Sequence, residues 1–366
     1  MRQNKANKNS NKHSNKHNFW VKNWYKHSLS IGLYLFVPLS IIFRCIIFLR
    51  KIFLYKKNSN KKSKNQKPKI IIIGNIAIGG TGKTPLIIKI ATDMLKTGIK
   101  VGVISRGYGG EHAKKSPNIA HFVSVSDKAS YTGDEPLLIK QTLSIINKDI
   151  PVVICCKRVN ALKALENNCD VILSDDGLQH YALRRDTEVL VIDGSVGFGN
   201  GWVLPAGPLR EPLSRLKSVD HIIINQQPHS KGGELGMIAP LEISLKNYNY
   251  NKMHLAVKDE IMPLNPDLNK FSDFYNNKTK ICALCGIARP ERFFNTLDQM
   301  GFDDFIKMPL LDHQELSEKE LLEIDADIVL MTEKDAVKYT HIKSITNSNK
   351  FWVVGVEAVC DTSFLS

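Results

Sequence analysis

Lys69-Ile-Ile-Ile-Ile-Gly74 runs into Asn75-Ile76-Ala77-Ile78-Gly79-Gly80-Thr81-Gly82-Lys83-Thr84-Pro85 and then into LIIKIATDMLKTG, which closes at Gly98. A short continuous run of β-branched residues makes a strand buried on both faces. The segment after the glycines repeats at helical period and stops at a glycine. Strand, glycine loop, Gly-Lys-Thr and helix are the parts of a P-loop. The backbone from Ala77 through Ile78, Gly79, Gly80, Thr81 and Gly82, with the helix N-terminus, cradles phosphates; Lys83 reaches the β/γ oxygens and Thr84 ligands Mg2+. The usual pattern G-x-x-x-x-G-K-[ST] opens on a glycine where this chain has Ala77, so a loop of slightly different curvature is expected. ATP and Mg2+ are the ligands this pattern implies.

Four further strands follow in the manner of a parallel sheet, and each delivers polar residues at its carboxyl end, where α/β sheets place ligands. Val101 to Ile104 ends in Ser105-Arg106-Gly107-Tyr108-Gly109-Gly110, and Pro151 to Cys155 ends in Lys157 and Arg158. Val171 to Leu173 ends in Ser174-Asp175-Asp176-Gly177, an apolar strand closed by carboxylates, the Walker-B arrangement for holding Mg2+. Val189 to Ile192 ends in Asp193, read as an acid opening a glycine-rich turn. The arginines among these strand ends suit an anionic sugar phosphate.

The charge is unevenly spread. Residues 1–69 carry 17 Lys and Arg and no Asp or Glu, leaving 33 basic and 36 acidic residues in the other 297. A body of net charge −3 argues against a basic nucleic-acid-binding face and puts the anionic partner at the N-terminus. Residues 1–27 are Asn, Lys, Ser and His repeats with little to bury, expected to be a disordered basic tail, and 55–69 form a basic linker. Between them, 28–54 hold LSIGLYLFVPLSIIFRCIIFLRKIFL, of membrane-spanning length but interrupted by Pro38, Arg44 and Arg50. Seven basic residues on one flank and nine on the other give no orientation signal, and Arg44 deep in hydrocarbon costs about 2.5 to 3.5 kcal/mol. The expected arrangement is a helix embedded in one leaflet, its flanks held by anionic headgroups.

Seven scattered cysteines make no disulfide framework and suit a reducing compartment. Cys282 and Cys285 form one C-x-x-C without a second ligand pair, and read as apolar strand residues.

Taken together the motifs resemble those of the tetraacyldisaccharide 4'-kinases, the lipid A 4'-kinases of Gram-negative bacteria. The carriers are GNIAIGGTGKTP, SRGYGG, Gly133-Asp134-Glu135-Pro136, DDGLQH, GNGWVLPAGPLREP, GIARPERFF, Asp312-His313 and Met331-Thr332-Glu333-Lys334-Asp335, in that order. The resemblance implies an α/β fold, a P-loop NTPase-like parallel sheet with a second, smaller α/β domain, and transfer of the ATP γ-phosphoryl to the 4'-hydroxyl of an acylated disaccharide 1-phosphate. It implies that Asp134 is the base on that hydroxyl, paired with His313. It puts Glu211 with the metal-side carboxylates Asp175 and Asp176, and Arg158 and Arg210, with Arg106, on the substrate phosphate. Where many members have a second His after Asp-His, this chain has Gln314. The implied setting is the cytoplasmic face of the inner membrane, with a lipid A disaccharide precursor as acceptor, no nucleic acid and no protein partner.

The expected boundaries are a P-loop domain over 70–216 and a second unit over 217–366 built on HIIIN, HLAVK, KICALCG, DIVLM and FWVVGV, with the acceptor in the cleft between them. Closure of that cleft brings Asp134 to His313, and an open form leaves them apart. The competing readings are a membrane-recruited P-loop ATPase switch and a soluble small-molecule kinase.

Overall fold

A computed structural model describes residues 23–26, 28–58, 68–228, 235–268, 270–276 and 278–365. Residues 1–22, 27 and 59–67, most of the expected tail and linker, lie outside the described residues. In chain order the helices used below are α1 (Val37–Asn58), α2 (Lys83–Lys96), α3 (Asp134–Ser144), α4 (Arg158–Leu165), α5 (Pro290–Gln299) and α6 (Glu333–Ala336). The strands are β1 (Lys69–Gly74), β2 (Val101–Ser105), β3 (His121–Phe122), β4 (Val152–Ile154), β5 (Val171–Asp175), β6 (Thr187–Asp193), β7 (His221–Pro228) and β8 (Leu235–Gly236). They continue with β9 (Asn251–Val257), β10 (Met262–Pro263), β11 (Ile281–Cys285), β12 (Ile306–Pro309), β13 (Ile328–Thr332), β14 (Phe351–Val354) and β15 (Val356–Val359).

The large sheet runs β15-β9-β7-β6-β1-β5-β2-β4-β3, with β8 beside β7. From β9 to β4 neighbouring strands are parallel, and β15, β3 and β8 join antiparallel. The isoleucines of β1 explain its central place: Ile70 and Ile72 enter the core on one face, Ile71 and Ile73 that on the other. The register then sets the site. Ile73 lies opposite Asp175 of β5, so the strand that opens the P-loop and the strand that ends in carboxylates reach the same edge together.

The smaller sheet, β10-β14-β13-β11-β12, follows the same rule, with Ala283 and Cys285 facing one core and Cys282 and Leu284 the other. Cys282 and Cys285 therefore point away from each other, as apolar strand residues and not as a ligand pair.

The boundary expected at residue 217 is corrected. HIIIN (β7) and HLAVK (β9) extend the large sheet beyond β6, and the small sheet is an insertion between β9 and β15. FWVVGV divides at Gly355: β14 belongs to the small sheet and β15 pairs with β9, Val356 opposite Val257. A Cβ on Gly355 would stand 2.7 Å from Lys258 Cδ and 3.1 Å from Glu333 Oε1, so a larger residue at this crossing displaces those two side chains.

The N-terminal segment is also more structured than its composition suggests. Residues 23–26 pack on the large unit, where Trp24 Nε1 donates to Pro205 O at 3.0 Å and the Tyr25 hydroxyl to Ile78 O. A 3-10 turn over Ile31–Phe36 leads into α1, so Pro38 occupies the first turn, where a missing N–H costs nothing. Ser40, 1% exposed, donates to Val203 O and accepts from Ala206 N, both at 2.9 Å. The helical stretch Ile31–Leu54 is long and apolar enough to cross a membrane and is mostly uncovered, with Ile42, Ile46, Leu49 and Phe53 all exposed. Ser40→Ala strands two buried backbone groups at this junction, so thermal unfolding of the purified protein should reveal a loss of about 1 to 3 kcal/mol.

Candidate active site

The P-loop leaves β1 at Gly74 and enters α2 at Lys83 through Gly82, whose φ of 87° is left-handed. A Cβ on Gly82 would stand 2.6 Å from Asn225 Nδ2 and 2.8 Å from Met253 Cε, so the closing turn needs glycine for both conformation and space. Asn225 Nδ2 donates to Thr81 O at 3.1 Å and steadies the loop from β7. The first part of the loop is otherwise engaged. Ala77 bridges Leu209 antiparallel, and the Ile78 N–H donates to Pro208 O at 2.9 Å. Ile78 was expected in the phosphate cradle, and its amide is instead taken by the chain.

At the end of β5, Asp175 is 2% exposed and accepts from Ser105 Oγ at 3.0 Å, and Asp176 has a positive φ of 47°. Asp176 meets Lys83 Nζ at 3.4 Å and Arg210 Nη1 at 2.8 Å. Burial, with Glu135 and Asp176 nearby, raises the Asp175 carboxyl above its ordinary value. Burial acts the same way on Asp176, but Lys83 and Arg210 outweigh it and hold that carboxyl well below the usual range. Among the described residues Asp175 Oδ1 and Asp176 Oδ1 are buried without a hydrogen-bond partner. Two buried carboxylate oxygens, that of Asp176 facing Lys83 of the P-loop at 3.4 Å, are a donor set of the kind Mg2+ takes, so these residues fit that ion.

Two expectations are corrected. Arg158 is 6% exposed and donates to the backbone carbonyls of Asp175 at 2.8 Å and Asp176 at 3.1 Å, so in this structure it braces the acidic turn from within. Glu211 is 2% exposed and bound by Gln179 Nε2 at 2.7 Å, by the Tyr181 hydroxyl and by Arg215 Nε at 3.1 Å. Its oxygens are drawn to these donors. Arg106 is exposed beside this edge, and Arg210 holds Asp176. His180, next to the same turn, is pushed down to about 4 by burial and by Arg158, so its imidazole is neutral near pH 7.

On the far side of the glycine loop, the turn at Thr132 and Gly133 packs against Gly107 and Tyr108 and opens α3 at Asp134. Asp134 is 4% exposed, and His313 Nδ1 lies 3.1 Å from its Oδ1 and 3.0 Å from its Oδ2. The cleft is thus closed, with Asp134 from the large unit and His313 from the inserted one. His313 has φ of 63°, and with Asp176 it makes up the non-glycine positive-φ residues among those described. Such strain clusters at functional positions. The bond to Asp134 raises the His313 imidazole despite burial. Burial works to raise Asp134, but His313 and Lys334 outweigh it and lower that carboxyl. Gln314 secures the turn instead of joining the pair, its Oε1 accepting from Leu311 N at 2.9 Å.

Several residues of this site were not singled out in the sequence. Asp193 does cap its turn, accepting from Ser195 N at 3.0 Å, but its other oxygen meets Arg289 Nη1 at 2.6 Å and Arg292 Nη2 at 2.5 Å from the inserted unit. Arg289 also lies over the Tyr25 ring at 5.3 Å. The arginines stand in GIARPERFF, so the motif was visible and its partner was not.

The family described as tetraacyldisaccharide-1-P 4'-kinase matches residues 33–366. The tetraacyldisaccharide 4'-kinase of Legionella pneumophila (strain Lens) is 37% identical over 347 residues, 93% of each chain. That of Francisella philomiragia is 39% identical over 342 residues, 91% of this chain and 97% of its own. Among solved structures, LpxK from Aquifex aeolicus in complex with ATP aligns with a TM-score of 0.67 over 92% of this chain and 97% of that one, at 23% identity, a likeness of fold.

Lys83→Ala and Asp176→Asn should each lower turnover by about 100-fold or more in a steady-state assay. The Mg2+ concentration for half-maximal rate should rise about tenfold or more for Asp176→Asn and stay within about twofold of wild type for Glu211→Gln.

Proposed function

The chain belongs to the tetraacyldisaccharide-1-P 4'-kinase family, and on that footing we propose how its residues carry out the transfer. It is an ATP-dependent kinase of lipid A biosynthesis that phosphorylates the 4'-hydroxyl of a tetraacyldisaccharide 1-phosphate. That membership sets aside a P-loop switch without a small-molecule acceptor, and the apolar N-terminal helix weighs against a soluble kinase.

In the transfer the 4'-oxygen forms a bond to the γ-phosphorus, the bond from that phosphorus to the β,γ-bridging oxygen breaks, and ADP leaves with the electron pair. The hydroxyl proton passes to Asp134. The observation that carries this role is the nearly buried Asp134 carboxylate, held by His313 Nδ1 at 3.0 Å and kept ionised by its neighbours. A sugar hydroxyl is a poor nucleophile at neutral pH, and a positioned base contributes about 10²- to 10⁴-fold. His313 orients the carboxylate and shares the proton. Lys83 and the Gly79–Thr84 stretch hold the β and γ phosphates, and Arg106 and Arg210 lie at the same edge for the phosphates of either substrate. Thr84, Asp175 and Asp176 would hold Mg2+, which neutralises charge on the phosphates when bound.

The acceptor is a lipid, so it is met at a bilayer surface. The exposed apolar face of α1, flanked by basic residues and tied at Ser40 to the catalytic unit, supports a helix lying in the cytoplasmic leaflet of the inner membrane of a Gram-negative bacterium. Its attachment to the Val203–Ala206 loop, which Leu209 bridges to Ala77, supports a membrane surface close to the glycine loop.

Incubation with γ-labelled ATP and a lipid extract should label the disaccharide at its 4'-position; label on another lipid would contradict the reading. Asp134→Asn should retain ATP binding and lose about 10²-fold or more in kcat. Adding His313→Ala should cost little further, because groups acting as a unit are not additive, and full additivity would refute the pairing. Replacing Ile42, Leu49 and Phe53 with serine removes about 1.5 to 3 kcal/mol of apolar burial per side chain from the membrane contact. Liposome flotation should then fall and the KM for lipid rise, with the KM for ATP unchanged.

A further inference from the structure

Lys334 is a largely buried cation, its side chain 18% exposed. Its Nζ stands 3.8 Å from Asp134 Oδ2, 3.3 Å from Glu135 Oε1 and 3.2 Å from Asp312 Oδ1. His313 lies between the same two aspartates, 3.0 Å from Asp134 and 3.6 Å from Asp312. Two carboxylates and two basic side chains thus alternate around a ring. Three of its four members come from the inserted unit, and Asp134 alone comes from the large one.

The segment that presents Lys334 is rigidly held. Thr332 caps α6 by accepting from Asp335 N at 3.2 Å, and the fully buried Asp335 accepts from Gly286 N at 2.9 Å and Lys338 Nζ at 2.8 Å. Lys338 Nζ also donates to Gln314 O at 3.0 Å, fastening the His313 turn to the same element. An exposed ion pair is worth little. A buried cation shared by three carboxylates, one of them the base, has a definite electrostatic task.

We propose that Lys334 is a positioning residue of the phosphoryl transfer, joining Asp134 to Asp312 across the closed cleft so that the base is aimed at the acceptor hydroxyl. This rests on the reading of Asp134 as the base. The charged and titratable groups facing Asp134 are Glu135 on its own helix, His313 and Asp312 from the loop, Lys334 and Lys338 from α6 and the turn after it, and Tyr108 beyond the His313 ring. Lys334 lowers the proton affinity of both Asp134 and His313. Its removal therefore moves the titration of the pair in one direction, upward.

The test is the pH dependence of kcat/KM in Lys334→Met. The acid limb should shift up by about one pH unit, kcat at neutral pH should fall about tenfold or more, and the KM for ATP should stay within about twofold. Lys334→Met combined with Asp134→Asn should cost no more than Asp134→Asn alone. An unmoved acid limb, whatever the loss of rate, overturns the inference, since a merely structural lysine would lower kcat without moving the limb. If Lys334→Met fails to fold, Lys334→Arg decides: an acid limb in the wild-type position supports the proposal, and a displaced limb rejects it. Should Asp134→Asn itself keep near-normal turnover, the reading of the base fails. A collapsed Asp134→Asn beside an unmoved limb in Lys334→Met rejects the role of Lys334 alone.

Discussion

The contact between His313 and Asp134 depends on one topological constraint. The small sheet leaves the large one after β9 and returns through β15, and these two strands are hydrogen-bonded neighbours. Both crossings therefore lie side by side, pinned by Lys258 Nζ on Glu333 Oε1 at 2.6 Å and by Lys258 N on Gly355 O at 3.0 Å. An inserted unit held at adjacent points can approach the large unit along a limited path, and that path brings α6 against α3. The meeting of Asp134 and His313, 179 residues apart in sequence, follows from it.

The carboxyl edge of the large sheet concentrates charge that a protein interior resists. Asp175 and Asp176 end β5, and Asp193 ends β6, each 32% exposed or less at the side chain and each met by cations or donors. Arg158 braces the acidic turn, Arg210 and Lys83 hold Asp176, and Arg289 and Arg292 hold Asp193. Leaving any one of these charges buried without its partner is costly. Each carboxylate of this edge is thus balanced by a cation or donor already in place in the folded protein.

Much of this was legible from residues 69–98 and 171–177, because local rules govern them. A continuous apolar run makes a buried strand, a glycine loop before Lys-Thr links that strand to a helix, and carboxylates closing a neighbouring strand reach the same edge. The resemblance, and not spacing, supplied the Asp134 and His313 pair. Sheet membership was not legible. HIIIN and KICALCG are equally apolar, and only edge pairing assigns one to each sheet. Glu211 misled for a related reason, since Arg215, Tyr181 and Gln179 surround it from different turns. Residues 23–26 were read from their composition as part of a disordered tail, and Trp24 and Tyr25 instead find partners in distant loops.

Asp134 and His313 form one hydrogen-bonded unit, and titration of the His313 imidazole measures it directly. In protein labelled at histidine, with the resonance assigned by its loss in His313→Gln, NMR should place the His313 pKa above the ordinary histidine value and show it falling in Asp134→Asn, where the negative partner is gone. The same His313 pKa in wild type and Asp134→Asn would contradict the account.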